Sequence, residues 1–412
     1  MKIAVIGAGI VGICTAYELA MDGHAVSVFE RHTAAAEEAS FACAGHLSPS
    51  LSHPLSFPAW PQASWLSALF KPDGIGLGRG ATLADLRWLT GWKTGSRGYF
   101  ERFAAAHTLV RYSQERQQAL CTQASMLVEQ SAGQLLLLRT ERDAQALQER
   151  LSALRTHGVT AKLMTPEEAR KLEPALGHDV ALHAAIHFPN DAVGNCRQFA
   201  QALKDRALEL GVHFHFGTPV TALSHAPTIQ VHTGRQAAHN FEQIVVCAGA
   251  GAAALLAPAL KRATLTRVGS HSLSAQIREP LNAPRSAVLD SHISISRMGA
   301  RIRVAGSAVL GDNPQHRRDA STRQLYRALQ TYFPGAADFA RSMQLWSGAS
   351  VFSPDGLPLL GASARPGIWL NLAHGHNGWS MACGTARVLA DQIRGKPADL
   401  DVTLVHPERF AS

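Results

Sequence analysis

A chain of 412 residues with 46% hydrophobic and 17% charged side chains has the composition of a folded globular protein, which excludes disorder. Its formal charge of +8 comes from scattered Lys and Arg, with no long basic tract and no aromatic interleaving. That argues against a nucleic-acid partner and leaves anionic substrates or an anionic membrane surface open.

Six cysteines, at 14, 43, 121, 196, 247 and 383, form no C-x-x-C pair. Neither a structural zinc site nor a thioredoxin-like motif is indicated, so no metal is expected. This usage suits a reducing cytoplasm. No apolar run reaches the roughly 20 residues that cross a bilayer. Ala4-Val5-Ile6-Gly7 reads as the start of a working motif rather than a cleavable leader.

Lys2 to Ile6 is a short apolar run bounded by glycine, the pattern of a strand buried on both faces. Gly7-Ala8-Gly9-Ile10-Val11-Gly12 follows as a full G-x-G-x-x-G, then a helix ending near Asp22-Gly23 and a second strand, Ala25 to Phe29, that finishes at Glu30. Gly7 permits the tight turn, Gly9 lets backbone approach a pyrophosphate, and Gly12 lets helix and strand pack closely. The helix N-terminus offers N–H groups and a favourable dipole to phosphates. Glu30 can accept from adenosine ribose hydroxyls and would repel a 2′-phosphate. Together these predict a dinucleotide-binding βαβ unit without separating FAD from NAD.

Ser40 to Pro61 reads as a loop returning beside the cofactor, and Trp60, Trp65, Trp88 and Trp92 suggest helix packing, a substrate entrance or a membrane contact. Helices are expected over Glu101–Gln130, with Phe103, Val110, Leu120 and Leu127 as apolar markers, and over 144–157, with a strand at 134–139 between them. Thr165-Pro166-Glu167-Glu168 marks a helix start. A helix over 195–210 leads into the strand 212–216, where His213 and His215 share a face without a further ligand nearby. Ile244 to Gly249 is an apolar strand ending at a second cofactor-approach point, Ala248-Gly249. Alternating strands fill 264–310, and 315–332 is helical. Near the C-terminus, Ile368 to Asn371 is a strand, His374-Gly375-His376-Asn377-Gly378-Trp379 a glycine-rich bend, and 380–393 a helix. A second helix start of this kind favours a large flavin contacting both ends of the chain over a NAD-only site.

With these residues in view, the sequence resembles the D-amino acid oxidase/glycine oxidase family of flavoproteins, and within it the small subunits of bacterial D-amino acid dehydrogenases. The likeness rests on Gly7–Gly12 with Glu30, Ser40 to Gly45, Phe188-Pro189-Asn190-Asp191, Arg301-Ile302-Arg303-Val304, Ser353-Pro354-Asp355-Gly356, and His374-Gly375 with Gly378 to Gly384. It implies a Rossmann-like FAD-binding domain of 1–50, 186–250 and 350–412. A mixed-sheet, α+β substrate domain would comprise 51–185 and 251–349. It further implies FAD contacts from Gly7, Gly9, Ile10, Val11, Gly12, Glu30, Arg31 and Ser40. Cys43, Ala44, Gly45, Val220, Ala248 and Gly249 would join them, as would Gly375, Asn377, Gly378, Trp379 and Ser380.

The implied reaction is oxidative deamination of a D-amino acid or related amine by hydride transfer to flavin N5, with electrons passed to a quinone or other respiratory acceptor. The implied setting is the cytoplasm, or the inner face of the membrane through peripheral association or a partner subunit. His271, His374, Arg301 and Ser350 are the candidate substrate and catalytic positions. Two departures stand out. The family's carboxylate-clamping arginine falls at Ser350, and the family's Lys-Gly-Tyr-Ser is Val268-Gly269-Ser270-His271-Ser272, with His271 at the tyrosine position. Serine makes no bidentate charged contact, and an unreplaced loss of such a pair costs about 2–5 kcal/mol. Another arginine (Arg267, Arg297 or Arg301), a secondary, cyclic or neutral amine substrate, or a heteromeric assembly would each account for this. Oxidation of a hydroxy acid is the alternative chemistry.

Overall fold

The computed structural model describes residues 1–52, 75–77, 80–94, 99–224, 229–234, 237–256, 265–290, 293–311 and 319–410. The first strand, Lys2–Ile6, sends Ile3 and Val5 into one apolar cluster and Ala4 and Ile6 into another, so both its faces are buried. It sits inside a six-stranded sheet, flanked by Ala25–Phe29 and Gln243–Val246, with His213–His215 at one edge. Ile368–Leu372 continues the parallel pairing and Leu359–Ala362 closes the other edge antiparallel. Parallel strands buried on both faces need covering layers. Helices Ile10–Met21, Cys196–Glu209 and Gly378–Ile393 supply one, and a three-stranded sheet spanning 220–241 supplies the other.

A second, ten-stranded mixed sheet runs through Thr266–Ile277, Arg301–Leu310, Ile293–Met298 and Ala184–Gly194, with helix Asp319–Tyr332 packed on it. The molecule is therefore a Rossmann-like FAD-binding fold joined to a mixed-sheet domain. The expected segments are distributed differently at two points. Strand 184–194 pairs within the ten-stranded sheet, so that sheet continues past the anticipated border at 186. Helix Tyr99–Gln123, grouped by sequence with the substrate segment, packs there through Phe103 but also against helix 378–393, and it reaches helix 10–21 through Arg116.

The other expected helices form close to their sequence signals. Asn195 caps Cys196–Glu209, and Thr165 and Glu168 make a capping box on Pro166–Leu172. Phe103, Val110 and Leu120 are buried, but Leu127 lies past the helix end and is 92% exposed. Trp88 is buried, whereas Trp60 and Trp65 lie outside the described residues, as does the side chain of Trp92. No described helix is long and apolar enough to cross a membrane.

One ionic contact fixes helix 99–123 in place. Glu18 is fully buried in helix 10–21, and Arg116 reaches it through two bonds of 2.6 and 2.8 Å. Arg387 of helix 378–393 donates to the same carboxylate at 2.8 Å and also bridges Asp22 and Asp391. Removing the carboxylate leaves two inward-facing guanidinium groups short of their counter-charge, so Glu18→Ala should lower stability by about 3–5 kcal/mol. Arg394→Ala, at the solvent edge of the network, should cost under about 1 kcal/mol. Urea denaturation of the two variants tests the difference, and equal losses would contradict it.

Candidate functional site

The opening turn closes on itself because two positions, Gly7 and Gly12, lack a Cβ. Gly7 has φ +105°, and a Cβ there would lie 2.8 Å from Cys247 O. A Cβ on Gly12 would lie 1.9 Å from Gly7 O, so helix and turn pack in direct backbone contact. Gly9 differs, since its nearest neighbour would be Ser40 Oγ at 3.4 Å, and its face lines a cavity of about 370 Å³. Glu30 lies on the same wall, where its two oxygens accept from Ala8 N–H at 2.7 Å and His32 N–H at 2.9 Å. Those bonds orient the carboxylate and leave each oxygen a second lone pair for a ribose hydroxyl.

Ile10, Val11, Arg31, Ser40, Val220, Ala248, Gly249 and Gly375, all named from the sequence, line this one cavity. Ser40 Oγ accepts from Ile10 N–H at 3.0 Å, joining the loop to the first helix. Gly378, the first residue of helix 378–393, lies on the wall as well, so two helix N-termini some 370 residues apart in sequence open on one space. Asn371 is there too. Its Nδ2 donates to Thr15 Oγ1 at 3.0 Å, and its buried Oδ1 has no hydrogen-bond partner among the described residues. Amide-rich helix starts, a ribose-competent carboxylate, small residues at 248–249 and an unsatisfied buried amide oxygen together fit a dinucleotide flavin.

A second compartment of about 210 Å³ shares Ile10, Ser40, Ser350, Gly375 and Gly378 with the first. Cys43, Ala44, Gly45, His271, Asn377 and Trp379 line it. His271 is 4% exposed, with Nδ1 2.8 Å from Ser347 Oγ. Ser350 therefore stands at the junction of the compartments and His271 on the wall of the smaller one.

Gly12, Arg301 and Ser380 line neither compartment, and His374 lines the larger one. Arg301 opens strand 301–310, pairs in register with Gln276 and Met298, and lines neither compartment. Ser380 donates to His46 O at 2.8 Å, so its hydroxyl ties the 46–48 loop to the last helix and lines neither space. His374 lines the larger compartment, but its Nε2 is 3.3 Å from Thr385 Oγ1, whose hydroxyl in turn donates to Met381 O. Burial lowers this imidazole to about 3, so it is neutral and anchors the bend to the helix.

The family pattern described as FAD dependent oxidoreductase matches residues 2–392. This chain belongs to that family. A D-amino acid dehydrogenase of Cereibacter sphaeroides is 32% identical over 426 residues, covering 100% of this chain and 96% of the relative. Glycine oxidase from Geobacillus kaustophilus superposes with a TM-score of 0.78 at 21% identity, over 99% of both chains. L-proline dehydrogenase from P. horikoshii gives 0.74 at 19% identity, over 100% of this chain and 97% of that one. The two structural likenesses speak for the family fold.

A further set of bonds comes from residues that the sequence named only within motifs, as with Ser272 and Arg303, or not at all, as with Ser296. Ser272 donates to Ala42 O at 2.7 Å, Arg303 to Cys43 O at 2.9 Å, and Ser296 to Ala44 O at 3.2 Å. Three neighbouring strands thus hold three successive carbonyls of the loop that lines the smaller compartment. Arg303 is 8% exposed and also donates to Ser274 Oγ at 2.8 Å. The signal was period-two alternation: Ile302 and Val304 enter the core, which turns 301, 303 and 305 to the loop side. Asp191, from the Phe188-Pro189-Asn190-Asp191 motif, is 1% exposed and accepts from Ser50 N–H at 3.3 Å. Desolvation raises its carboxyl to about 7.

Two outcomes follow from this geometry. Gly9→Val should fold yet lose FAD, seen as absent absorbance near 450 nm with an unchanged circular dichroism spectrum. Gly12→Ala should also lower Tm, because its Cβ collides within the protein itself. Normal FAD retention by Gly9→Val would refute the assigned phosphate site. For His374, the unfolded chain takes up a proton below its ordinary value of 6.5, while the folded chain resists until about 3. Stability should therefore fall as pH drops from 6.5 toward 3, and less steeply in His374→Gln. Thermal melts at pH 6.5 and 4.5 measure this, and parallel slopes for the two proteins would contradict it.

Proposed function

We propose that this FAD-dependent oxidoreductase oxidises the Cα–N bond of a D-amino acid or related amine and passes the electrons to a quinone or comparable acceptor. The observation that carries the reading is the junction at Ser350, where the substrate-side compartment opens onto the space between the two helix N-termini. Full-length similarity to a D-amino acid dehydrogenase supports the substrate class. When bound, FAD supplies the two-electron oxidant. Gly7 to Val11, Glu30, Ser40, Ala248-Gly249 and Gly375 to Gly378 would hold it, while Ala42 to Gly45, fixed from the ten-stranded sheet, would separate it from the substrate-side wall. The chain's contribution is to position the substrate and keep water out.

A second reading, a secondary, cyclic or uncharged amine as substrate, draws support from the wall itself. Among the described residues lining the smaller compartment there is no Arg, Lys, Asp or Glu. Its polar groups are serine hydroxyls, Asn377, histidines and Cys thiols, and burial lowers His46 to about 4, so that ring is neutral. A zwitterion would place its carboxylate there without a formal counter-charge, which is unfavourable in a desolvated site.

Anaerobic mixing of the FAD-loaded protein with single substrates decides between the readings. D-alanine, D-proline, an N-methyl amino acid and an amino acid ester should bleach the 450 nm band at different rates, the fastest identifying the class. Ser350→Arg should lower the half-saturating concentration of D-alanine at least about tenfold, the scale of one regained charge pair. No bleaching by any amine would overturn the proposed function. Unchanged D-alanine binding in Ser350→Arg would overturn the correspondence at position 350.

A further inference from the structure

Four of the six cysteines form two thiol pairs in unlike surroundings. The Cys14 and Cys383 sulfurs are 3.7 Å apart between helices 10–21 and 378–393, at 0% and 1% exposure. Burial pushes the Cys14 thiol well above its ordinary value, and the nearby Glu18 charge acts in the same direction. Both sulfurs are sealed in apolar packing, so this pair is built to stay reduced.

Cys43 and Cys196 stand together on the wall of the substrate-side compartment, each thiol shifting the ionisation of the other. Cys43 is partly exposed, and Cys196 is the first residue of the 14-residue helix 196–209, where the dipole favours negative charge. Behind them is Arg303, a buried cation whose hydrogen-bond partners among the described residues, Cys43 O and Ser274 Oγ, carry no charge. The neighbouring Cys196 thiol lowers the Cys43 thiol to about 7, with Arg303 adding to the effect against burial. A partly exposed thiol, a second thiol on the same wall, a buried cation behind the loop and an opening to the cavity are the requirements of a peroxide-reactive pair.

We propose that Cys43 and Cys196 form an oxidation-sensitive dithiol in the wall of the substrate-side compartment, with hydrogen peroxide as the oxidant. The Cys43 thiolate bonds to one peroxide oxygen, the O–O bond breaks, and hydroxide leaves and takes up the proton that Cys43 released. Cys196 sulfur then attacks the Cys43 sulfenic sulfur, expelling the hydroxyl, which leaves as water with the Cys196 proton. Two thiols and one peroxide give one disulfide and two waters, and the two electrons go to oxygen. The bond ties the 42–45 loop covalently to the start of helix 196–209 and reshapes the wall that faces the substrate.

The test treats FAD-loaded protein with equimolar hydrogen peroxide, alkylates it in denaturant and maps cysteines by peptide mass spectrometry. A Cys43–Cys196 linked peptide should appear and dithiothreitol should remove it, while Cys14, Cys383 and Cys121 remain alkylated. In Cys196→Ala the sulfenic acid should persist at Cys43 and be captured by dimedone. Without peroxide, Cys43 in the wild-type protein should react with iodoacetamide at least about tenfold faster at pH 7 than Cys121, whose thiol burial raises. Oxidation of Cys14–Cys383 at the same rate, no dimedone adduct at Cys43, or equal alkylation of Cys43 and Cys121 would each overturn the proposal. None of these readouts needs an amine substrate, so their failure leaves the proposed function standing.

Discussion

The direct contact of helix 10–21 with the turn before it sets up everything else in the molecule. Gly12 against Gly7 O leaves no room for a single methyl group, and that closeness aims the helix N-terminus along the end of the parallel sheet. Helix 378–393 reaches the same space from the far end of the sequence because its strand, 368–372, joins the same sheet beside 243–246. A sheet of five parallel strands therefore places two unshared sets of amide hydrogens at its carboxyl edge, the usual ligand position in such folds.

Between this edge and the second sheet lies the loop from Ala42 to Gly45. It has little regular structure of its own and takes its shape from Ser272, Arg303 and Ser296. Serines at alternate positions of strands 266–277 and 293–298 keep that sheet face narrow, so backbone can approach it. Gly45 completes the fit, with φ +82° and a Cβ position that Met298 and Gly194 already fill. The loop lines the smaller compartment, so the ten-stranded sheet shapes that wall through backbone carbonyls.

Local chemistry made the cofactor half legible. The G-x-G-x-x-G turn, Glu30, Ala248-Gly249 and Gly375-Gly378 are punctuation whose meaning depends on backbone geometry within a few residues, and the structure gathers them. The substrate half depends on which rung of a strand faces inward, and alternation alone does not choose between rungs. Arg301 and Arg303 share a face, yet the neighbouring serines meet the second of them. Glu18 was hidden for the same reason: a carboxylate in a helix reads as a solvent contact until Arg116 and Arg387 arrive from 98 and 369 residues away. Helix 99–123 touches both sheets' layers, and its amphipathic pattern states that it packs without stating on what.

The central claim is that a single flavin dinucleotide engages both helix starts together. Amide hydrogen exchange at residues 8–11 and 375–379, followed with and without FAD, reads both ends in one experiment. Slowed exchange in the two segments, at the same FAD concentration, is the result this account requires. Protection confined to the first segment would mean that the C-terminal helix start serves the fold alone.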